Sequence, residues 1–141
     1  MTVIDESAFY DCTSLTSITI PDSVTSIGGN IFCGCTALTS VTLSNNITKI
    51  DYSTFSRCTS LSSITIPDSV TEISSSIFDG CTSLTSIISL AMNAPEIDFH
   101  TFENITANGT LYVPQGSSGY DTWMGTGDYY LGKYNWTKVE Q

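Results

Sequence analysis

The sequence predicts a mainly β solenoid, in which short coils of similar sequence stack on one another. Residues of the same type recur every 23 positions through most of the chain, and the units hold an alternating apolar and polar stretch that ends at proline in the first and third of them. The length of 141 residues, 40% of them apolar, is enough for one domain with a core and too short for two ordinary domains. We therefore expect a right-handed stack of about four to five coils with short turns that are either irregular or 3₁₀/helical, and an irregular C-terminal cap.

The repeat is defined by columns of identical or similar residues. The segment from Cys12 to Pro21 returns almost unchanged from Cys58 to Pro67. Stacking of the coils would bring equivalent residues about 4.8 Å apart, so that they bury an apolar face that no single coil could cover. The columns are Phe9, Phe32, Phe55 and Phe78; Cys12, Cys35, Cys58 and Cys81; Leu15, Leu38, Leu61 and Leu84; and Ile18, Val41, Ile64 and Ile87.

Each unit contains the pattern of two short strands. In the first unit Ile18 and Ile20 alternate with Thr19, as expected of a strand with one face towards the core. Pro21 ends pairing on that strand, because proline has no N–H to donate. A second inward strand, on the opposite side of the coil, is predicted from Val24 and Ile27.

The repeat resembles the BspA-type leucine-rich repeat over roughly residues 4 to 114. The resemblance is carried by the Phe-x-x-Cys pair, the Leu-Thr-Ser-Ile-Thr-Ile-Pro strand and the Val-Thr-x-Ile element. It implies a right-handed leucine-rich-repeat stack from a cell-surface or secreted protein, often bacterial, whose relatives take part in adhesion and in binding host or matrix proteins. The family motif contains no catalytic residues.

The repeat decays towards the C-terminus. Phe102 follows Phe78 by 24 residues, and Ile105 stands where the next Cys would be. We predict a solenoid over 1–114 with a degenerate last unit, and a C-terminal cap over 115–141 within the same domain. Residues 111–141 hold both tryptophans and five of the seven tyrosines. These aromatic residues either pack against the last coil or form a sugar- or peptide-binding patch; the candidates for such a patch are Tyr120, Trp123, Tyr129 and Tyr130.

The outward strand positions carry hydroxyl side chains in successive coils. One of these columns contains Thr19, Thr42 and Thr65. Such a face either serves solubility and strand formation, which threonine favours, or offers a flat docking surface to a partner. The face lacks the Trp, Tyr and Arg that dominate binding energy at most interfaces.

Charge excludes two classes of partner. Fourteen acidic residues against four basic ones give a net charge of −10, which does not suit nucleic acid or anionic lipid. No apolar run approaches the length of a membrane span, and residues 1–6 lack the basic and apolar regions of a signal peptide. Ile4 matches Ile27, so the chain begins within a coil. The N-terminal end is expected either to follow earlier repeats, to be covered by residues 1–8, or to associate with another copy.

The residues that could carry chemistry are few. The Cys column is expected to contain buried free thiols, although a disulfide between adjacent coils is conceivable. Cys33 lies outside the column, as a local packing residue or an exposed thiol, and the cysteine spacing does not suit a metal site. His100 is the single histidine and has no nucleophile motif beside it. We therefore expect no enzyme, no metal and no cofactor.

Three functions are compatible with these features. The leading hypothesis is a non-catalytic protein-binding or adhesion module of a surface or secreted protein, whose partner is a protein or glycan such as a host or matrix protein. The alternatives are a structural spacer with no specific ligand and a carbohydrate-binding patch on the aromatic C-terminal segment. An exposed patch that breaks the repeat would favour a binding module, whereas burial of both tryptophans would favour a spacer.

Overall fold

The chain forms a β-solenoid of about six turns. A computed structural model describes residues 2–98 and 100–141. All pairs of strands among these residues are parallel. Six strands lie on one side of the stack, the front face, and five lie on the other, the back face. The front-face strands are β2 (Ser17–Thr19), β4 (Ser40–Thr42), β6 (Ser63–Ile66), β8 (Ser86–Ser89), β10 (Thr110–Val113) and β11 (Thr137–Glu140); the back-face strands are β1 (Thr2–Ile4), β3 (Val24–Ile27), β5 (Lys49–Ile50), β7 (Glu72–Ile73) and β9 (Glu96–Ile97).

Strand pairing keeps the repeat columns in register. On the front face β6, β8, β10 and β11 form one hydrogen-bonded ladder, and β2 and β4 form another that packs beside it. On the back face β1 pairs with β3, and β5, β7 and β9 form a ladder. Each residue of a column therefore lies directly above its equivalent in the next coil, as the 23-residue spacing predicts.

The Phe column forms a continuous stack of rings along one corner of the solenoid. Neighbouring ring centroids are 5.7 Å apart between Phe9 and Phe32, 5.7 Å between Phe32 and Phe55, and 5.9 Å between Phe55 and Phe78. The last step, to Phe102, is 6.5 Å. Rings with nearly parallel planes at this separation gain both apolar burial and offset-stacking energy.

The Cys column lies beside these rings and is buried from Cys35 onwards. All five cysteines are free thiols, so the disulfide alternative does not occur in this structure. Each of three buried Sγ atoms donates a hydrogen bond to a phenylalanine carbonyl of the preceding coil, which fixes the stacking of adjacent coils. The pairs are Cys35 with Phe9 at 3.1 Å, Cys58 with Phe32 at 3.1 Å and Cys81 with Phe55 at 2.9 Å.

The corner turns are irregular, one of the two forms expected for them, and not helical. In the Phe-x-x-Cys segments the N–H of Cys35 donates to the carbonyl of Phe32 at 3.0 Å, and that of Cys58 to Phe55 at 3.1 Å. Such bonds define successive turns rather than a helix, because the chain must leave the corner at once to enter the front face. Among the described residues, the one helix is the 3₁₀ turn Leu131–Tyr134.

Hydroxyl side chains also join neighbouring coils. The Thr39 hydroxyl donates to the carbonyl of Thr16 at 3.1 Å, and the Ser83 hydroxyl donates to that of Thr59 at 2.7 Å. Serine and threonine side chains therefore form hydrogen bonds between neighbouring coils, besides making the surface soluble.

The C-terminal segment adds the sixth front-face strand, which the sequence did not reveal. β11 pairs with β10 over its whole length, and Lys138 shares the inward column of Leu111. An apolar residue is not required there, because in the described chain no further coil covers the last strand. The predicted four to five coils are therefore too few. The predicted limits at 1–114 and 115–141 stay a prediction.

Candidate binding surface

The two tryptophans of the C-terminal segment are part of the core. Trp123 is 1% exposed, and its ring centroid lies 5.3 Å from that of Phe102, so it ends the stack of phenylalanines. Its indole Nε1 donates to the carbonyl of Pro95 at 3.2 Å. Trp136 is also buried, and its Nε1 donates to the carbonyl of Thr106 at 2.7 Å. The prediction of Trp123 as a binding residue is therefore wrong, because its ring covers the last coil.

Tyr120 is likewise buried, where a side chain of the repeat is missing. Ser89 occupies the inward column that holds Ile66 in the preceding coil, and the Tyr120 ring packs there with an exposure of 1%. The Tyr120 hydroxyl donates to the carbonyl of Ala91 at 2.7 Å and lies 2.7 Å from the Ser89 hydroxyl. Burial raises the pKa of Tyr120. Tyr120 thus belongs to the core and not to the predicted surface patch.

Tyr129 and Tyr130 are half-buried at the C-terminal end of the stack. The Tyr129 ring meets the edge of the His100 ring at a centroid distance of 4.5 Å. The Tyr130 ring packs beside Gly125 and Gly127. They are separated from the front face, so the structure does not bring them together with the threonine column.

The predicted threonine column is exposed on the front face. Thr19, Thr42 and Thr65 all lie on the outer surface, in register along the strands. The same column continues past Thr65 into Ile88, Tyr112 and Val139, which pair in that order across β8, β10 and β11. One outward column therefore changes from hydroxyl to apolar halfway along the stack.

Two further exposed apolar residues adjoin this column. Leu90 stands where the earlier coils have Pro21 and Pro67, and it is 47% exposed. Met92 is 53% exposed, in the turn that contains the extra residue of the fifth unit. That turn is held in place because the Ser118 N–H donates to the Met92 carbonyl at 2.8 Å. We call the set Ile88, Leu90, Met92, Tyr112 and Val139 the apolar patch.

The apolar patch is bordered by shallow hollows around Leu90. One, of about 300 Å³, is lined by Ile88, Leu90, Tyr112 and Pro114 among others. On the other side of Leu90 lies a hollow of about 250 Å³ that extends over Thr65 towards the threonine column. The leucine therefore separates two depressions, and a partner could place side chains in both.

Strand β8 differs from the earlier front-face strands at two positions. Like them it buries an apolar residue, Ile87, but it also buries Ser89, where they bury isoleucine or leucine, and it places the half-buried Ile88 on the outer side, where they carry threonine. A shift of one residue would invert the two faces of the strand and move Ile87 out of the core. Ile87 and the hydrogen bond between Ser89 and Tyr120 therefore both hold the register in which Ile88 and Leu90 face outward.

An unpaired acidic residue lies beside the apolar patch. Asp68 shares a hollow with Leu90 and Met92, whereas Glu140 lies in the inward column of β11 and interacts electrostatically with Lys138. All four basic side chains have acidic partners within the chain, and the Lys138 Nζ lies 2.8 Å from an Asp121 carboxylate oxygen. Among the described residues none of these ion pairs involves Asp68; the other three basic residues are Lys49, Arg57 and Lys133.

The cysteine outside the repeat column and the single histidine both make contacts within the fold. Cys33 is buried, at 6% exposure, so the exposed-thiol alternative is wrong. Its Sγ lies 3.5 Å from the Arg57 guanidinium, which also contacts Asp11 at 3.5 Å. His100 is exposed, with its Nδ1 3.7 Å from the Glu103 carboxylate. Within residues 2–98 and 100–141, no cluster of three or more metal-binding side chains occurs and no helix is long and apolar enough to cross a membrane.

The first coil is less covered than its successors. Ile4, Phe9 and Leu15 are partly exposed, whereas their equivalents one coil later are buried, namely Ile27, Phe32 and Leu38. The N-terminal end is thus a second apolar surface in this structure. Val3, at 54% exposure, lies outside this surface in an outward column of the back face.

These features define a leucine-rich-repeat protein. A family model described as the BspA-type leucine-rich repeat region, in six copies, matches residues 2–119. The chain belongs to the BspA-type leucine-rich-repeat family. A comparison with curated proteins finds no match.

Solved structures with the same fold include bacterial proteins. A leucine-rich cell surface protein from Faecalibacterium prausnitzii is 34% identical, with a TM-score of 0.73, over 92% of this chain and 32% of its own. A leucine-rich-repeat protein from T. pallidum is 28% identical, with a TM-score of 0.66, over 78% and 51%. One from Bacteroides capillosus is 40% identical, with a TM-score of 0.57, over 62% of each chain. The chain thus spans about a third of the length of the first of these proteins.

Proposed function

We propose that this chain is a non-catalytic protein-binding module of a cell-surface or secreted adhesion protein, and that it binds through the apolar patch. The observation that carries the proposal is the change of one outward column from Thr65 to Ile88, Tyr112 and Val139. Exposed apolar side chains cost solubility, and contiguous patches of them commonly mark interaction sites.

The core supports this assignment. Ser89 is held inward by Tyr120 at 2.7 Å, while Ile88 and Leu90 lie on the outer side of the same strand end. A serine inside and apolar residues outside are expected of a binding surface rather than of a passive spacer. Tyr112 also supplies the kind of side chain that often dominates binding energy.

Surface localisation is supported by the family and by the cell-surface protein from F. prausnitzii. The acidic surface suits an exterior setting without contact to nucleic acid or anionic lipid. Catalysis is not proposed, because the described hydroxyl and carboxylate groups lie in repeat columns and turns without a base-activated nucleophile.

The proposal is tested by a binding screen of the whole chain against extracellular matrix proteins and glycans. The double variant Ile88→Thr/Tyr112→Thr, which extends the threonine column, should lose the binding that the native chain shows. The matched control Val3→Thr changes an exposed strand residue outside the patch and should bind like the native chain. If neither protein bound above background, or if both bound equally, the assignment would be wrong.

A second candidate partner is another copy of the chain, bound through the N-terminal end. Its support is the partial exposure of Ile4, Phe9 and Leu15 in the first coil. Sedimentation of the native chain should then show association that rises with concentration and is lost in Leu15→Glu. A monomer at all concentrations would contradict it.

A further inference from the structure

The spacing of the apolar patch restricts the shape of its partner. Ile88, Tyr112 and Val139 lie on adjacent parallel strands, so they follow one another at about 4.8 Å. Along an extended peptide, residues of one face recur at about 6.6 Å. Along an α-helix, residues three or four positions apart recur at about 4.5–6 Å. The repeat distance of a helix that lies across the strands matches the spacing of the column. The repeat distance of an extended peptide is too long, so that its side chains no longer face the column after the second contact.

The charges around the patch restrict the chemistry of the partner. Asp68, beside Leu90, has no basic residue of the chain as an ion-pair partner among the described residues. The net charge of the chain is −10. A second copy would therefore bring like charges together at this surface, whereas a helix with lysine or arginine beside its apolar stripe would pair with the Asp68 carboxylate.

We propose that the apolar patch binds a basic amphipathic helix of a partner protein, which lies across β8, β10 and β11. Its apolar stripe covers Ile88, Tyr112 and Val139, and one side chain enters the hollow beside Leu90. Its basic flank faces Asp68. This inference rests on the proposed function, since it names the partner of the same surface.

The test uses fluorescein-labelled peptides made only of leucine and lysine, followed by fluorescence anisotropy with the whole chain. One peptide places leucine at helical spacing. A second, of the same composition, alternates leucine and lysine as in a strand, and a third replaces lysine of the helical peptide by glutamate. The helical Leu/Lys peptide should bind at least about tenfold more tightly than either of the others.

Variants of the chain separate specific binding from attraction of any cation to an acidic protein. Ile88→Thr/Tyr112→Thr should weaken binding of the helical peptide by about tenfold or more, and Val3→Thr should leave it unchanged. Asp68→Asn should weaken binding and reduce its dependence on salt. Circular dichroism checks that each variant is folded. If the double variant fails this check, Val139→Thr on the edge strand replaces it, with weaker binding expected.

Two results would overturn the inference. Equal binding of the helical peptide to the native chain and the folded patch variant would show that charge alone attracts it. Equal or tighter binding of the alternating peptide would show that the patch takes an extended partner. In either case, a matrix protein whose binding is lost in Ile88→Thr/Tyr112→Thr would leave the proposed function intact, so the two failures are distinguishable.

Discussion

The hydroxyl of Ser89 donates a hydrogen bond to the hydroxyl of Tyr120 across 2.7 Å of the core, and Tyr120 in turn donates to the carbonyl of Ala91 at 2.7 Å. The C-terminal segment thereby replaces the apolar side chain that the repeat lacks at position 89. Because strand residues alternate in direction, fixing Ser89 inward fixes Ile88 and Leu90 outward. A single core contact thus connects the end of the solenoid to the surface that we propose as its binding site.

Removal of the Tyr120 hydroxyl should destabilise the fold. Tyr120→Phe leaves the Ser89 hydroxyl and the Ala91 carbonyl without this partner, which we expect to lower the free energy of unfolding by about 1–3 kcal/mol. Urea denaturation measures the change. In Tyr120→Phe/Ser89→Ala the loss should be smaller than the sum of the two single losses, because both polar groups of the pair are gone. Strictly additive losses would show that the two hydroxyls do not interact.

The Phe column should show position-dependent costs. Phe55 is fully buried in the middle of the stack, so Phe55→Ala should lower the free energy of unfolding by about 3–5 kcal/mol through the cavity that it leaves. Phe9→Ala is the matched control at the partly exposed first coil and should cost clearly less. A loss below about 1 kcal/mol for Phe55→Ala in urea denaturation would not be compatible with a continuous ring stack.

The C-terminal aromatic residues should separate into two groups. Trp123→Ala removes the ring that covers Phe102 and should lower the free energy of unfolding by about 3–5 kcal/mol. Tyr129→Ala, at a half-buried site, should cost about 1 kcal/mol or less. Thermal and urea denaturation of the two variants give the comparison. Equal costs would mean that the end of the stack is not covered as described.

The buried thiols should make the protein less stable in alkali. Burial raises the pKa of Cys81 to about 12 and also raises the pKa of Cys58 and Cys35. In the unfolded chain these thiols ionise near pH 9, while the folded chain keeps them protonated. Stability should therefore be fully present below about pH 9 and fall between pH 9 and 12, by up to about 1.4 kcal/mol per pH unit for each thiol.

Urea denaturation at pH 8 and pH 10.5 tests the effect of the buried thiols. Cys81→Ser keeps a donor for the Phe55 carbonyl but does not ionise in this range, so its loss of stability between the two pH values should be smaller than that of the native chain. An equal loss in both proteins would mean that Cys81 does not contribute. Alkylation of the folded chain at pH 8 should modify the half-buried Cys12 before Cys58 or Cys81.

The solenoid could be predicted from the sequence because stacking requires the same residue at each level. Phe55, Cys58 and Leu61 are each predicted by their equivalents 23 residues away, and all three lie in the core. The sixth strand escaped prediction because Lys138 and Glu140 take the inward column, where the earlier strands carry apolar residues. Without an apolar pattern, nothing in residues 137–140 marks a strand.

The binding surface could be predicted only in part. The threonine column is exposed as expected, but Tyr120 and Trp123 are core residues, because the last coil needs large side chains to cover it. Leu90 and Met92 were missed, although the replacement of Pro67 by Leu90 in the repeat was a visible signal. Which departures from the repeat face outward depends on strand register, and here the register buries Ile87 and Ser89, the latter in a contact with Tyr120, 31 positions away.

The central claim is that a partner helix covers the apolar patch on the front face. It is tested most directly by backbone and methyl chemical shifts of this 15.2 kDa chain during titration with the helical Leu/Lys peptide. The shifts of Ile88, Leu90, Met92, Tyr112 and Val139 should change together and saturate, while those of Thr19 and Tyr129 should stay constant. Changes centred on Tyr129 and Tyr130, or spread evenly over the acidic surface, would contradict the claim.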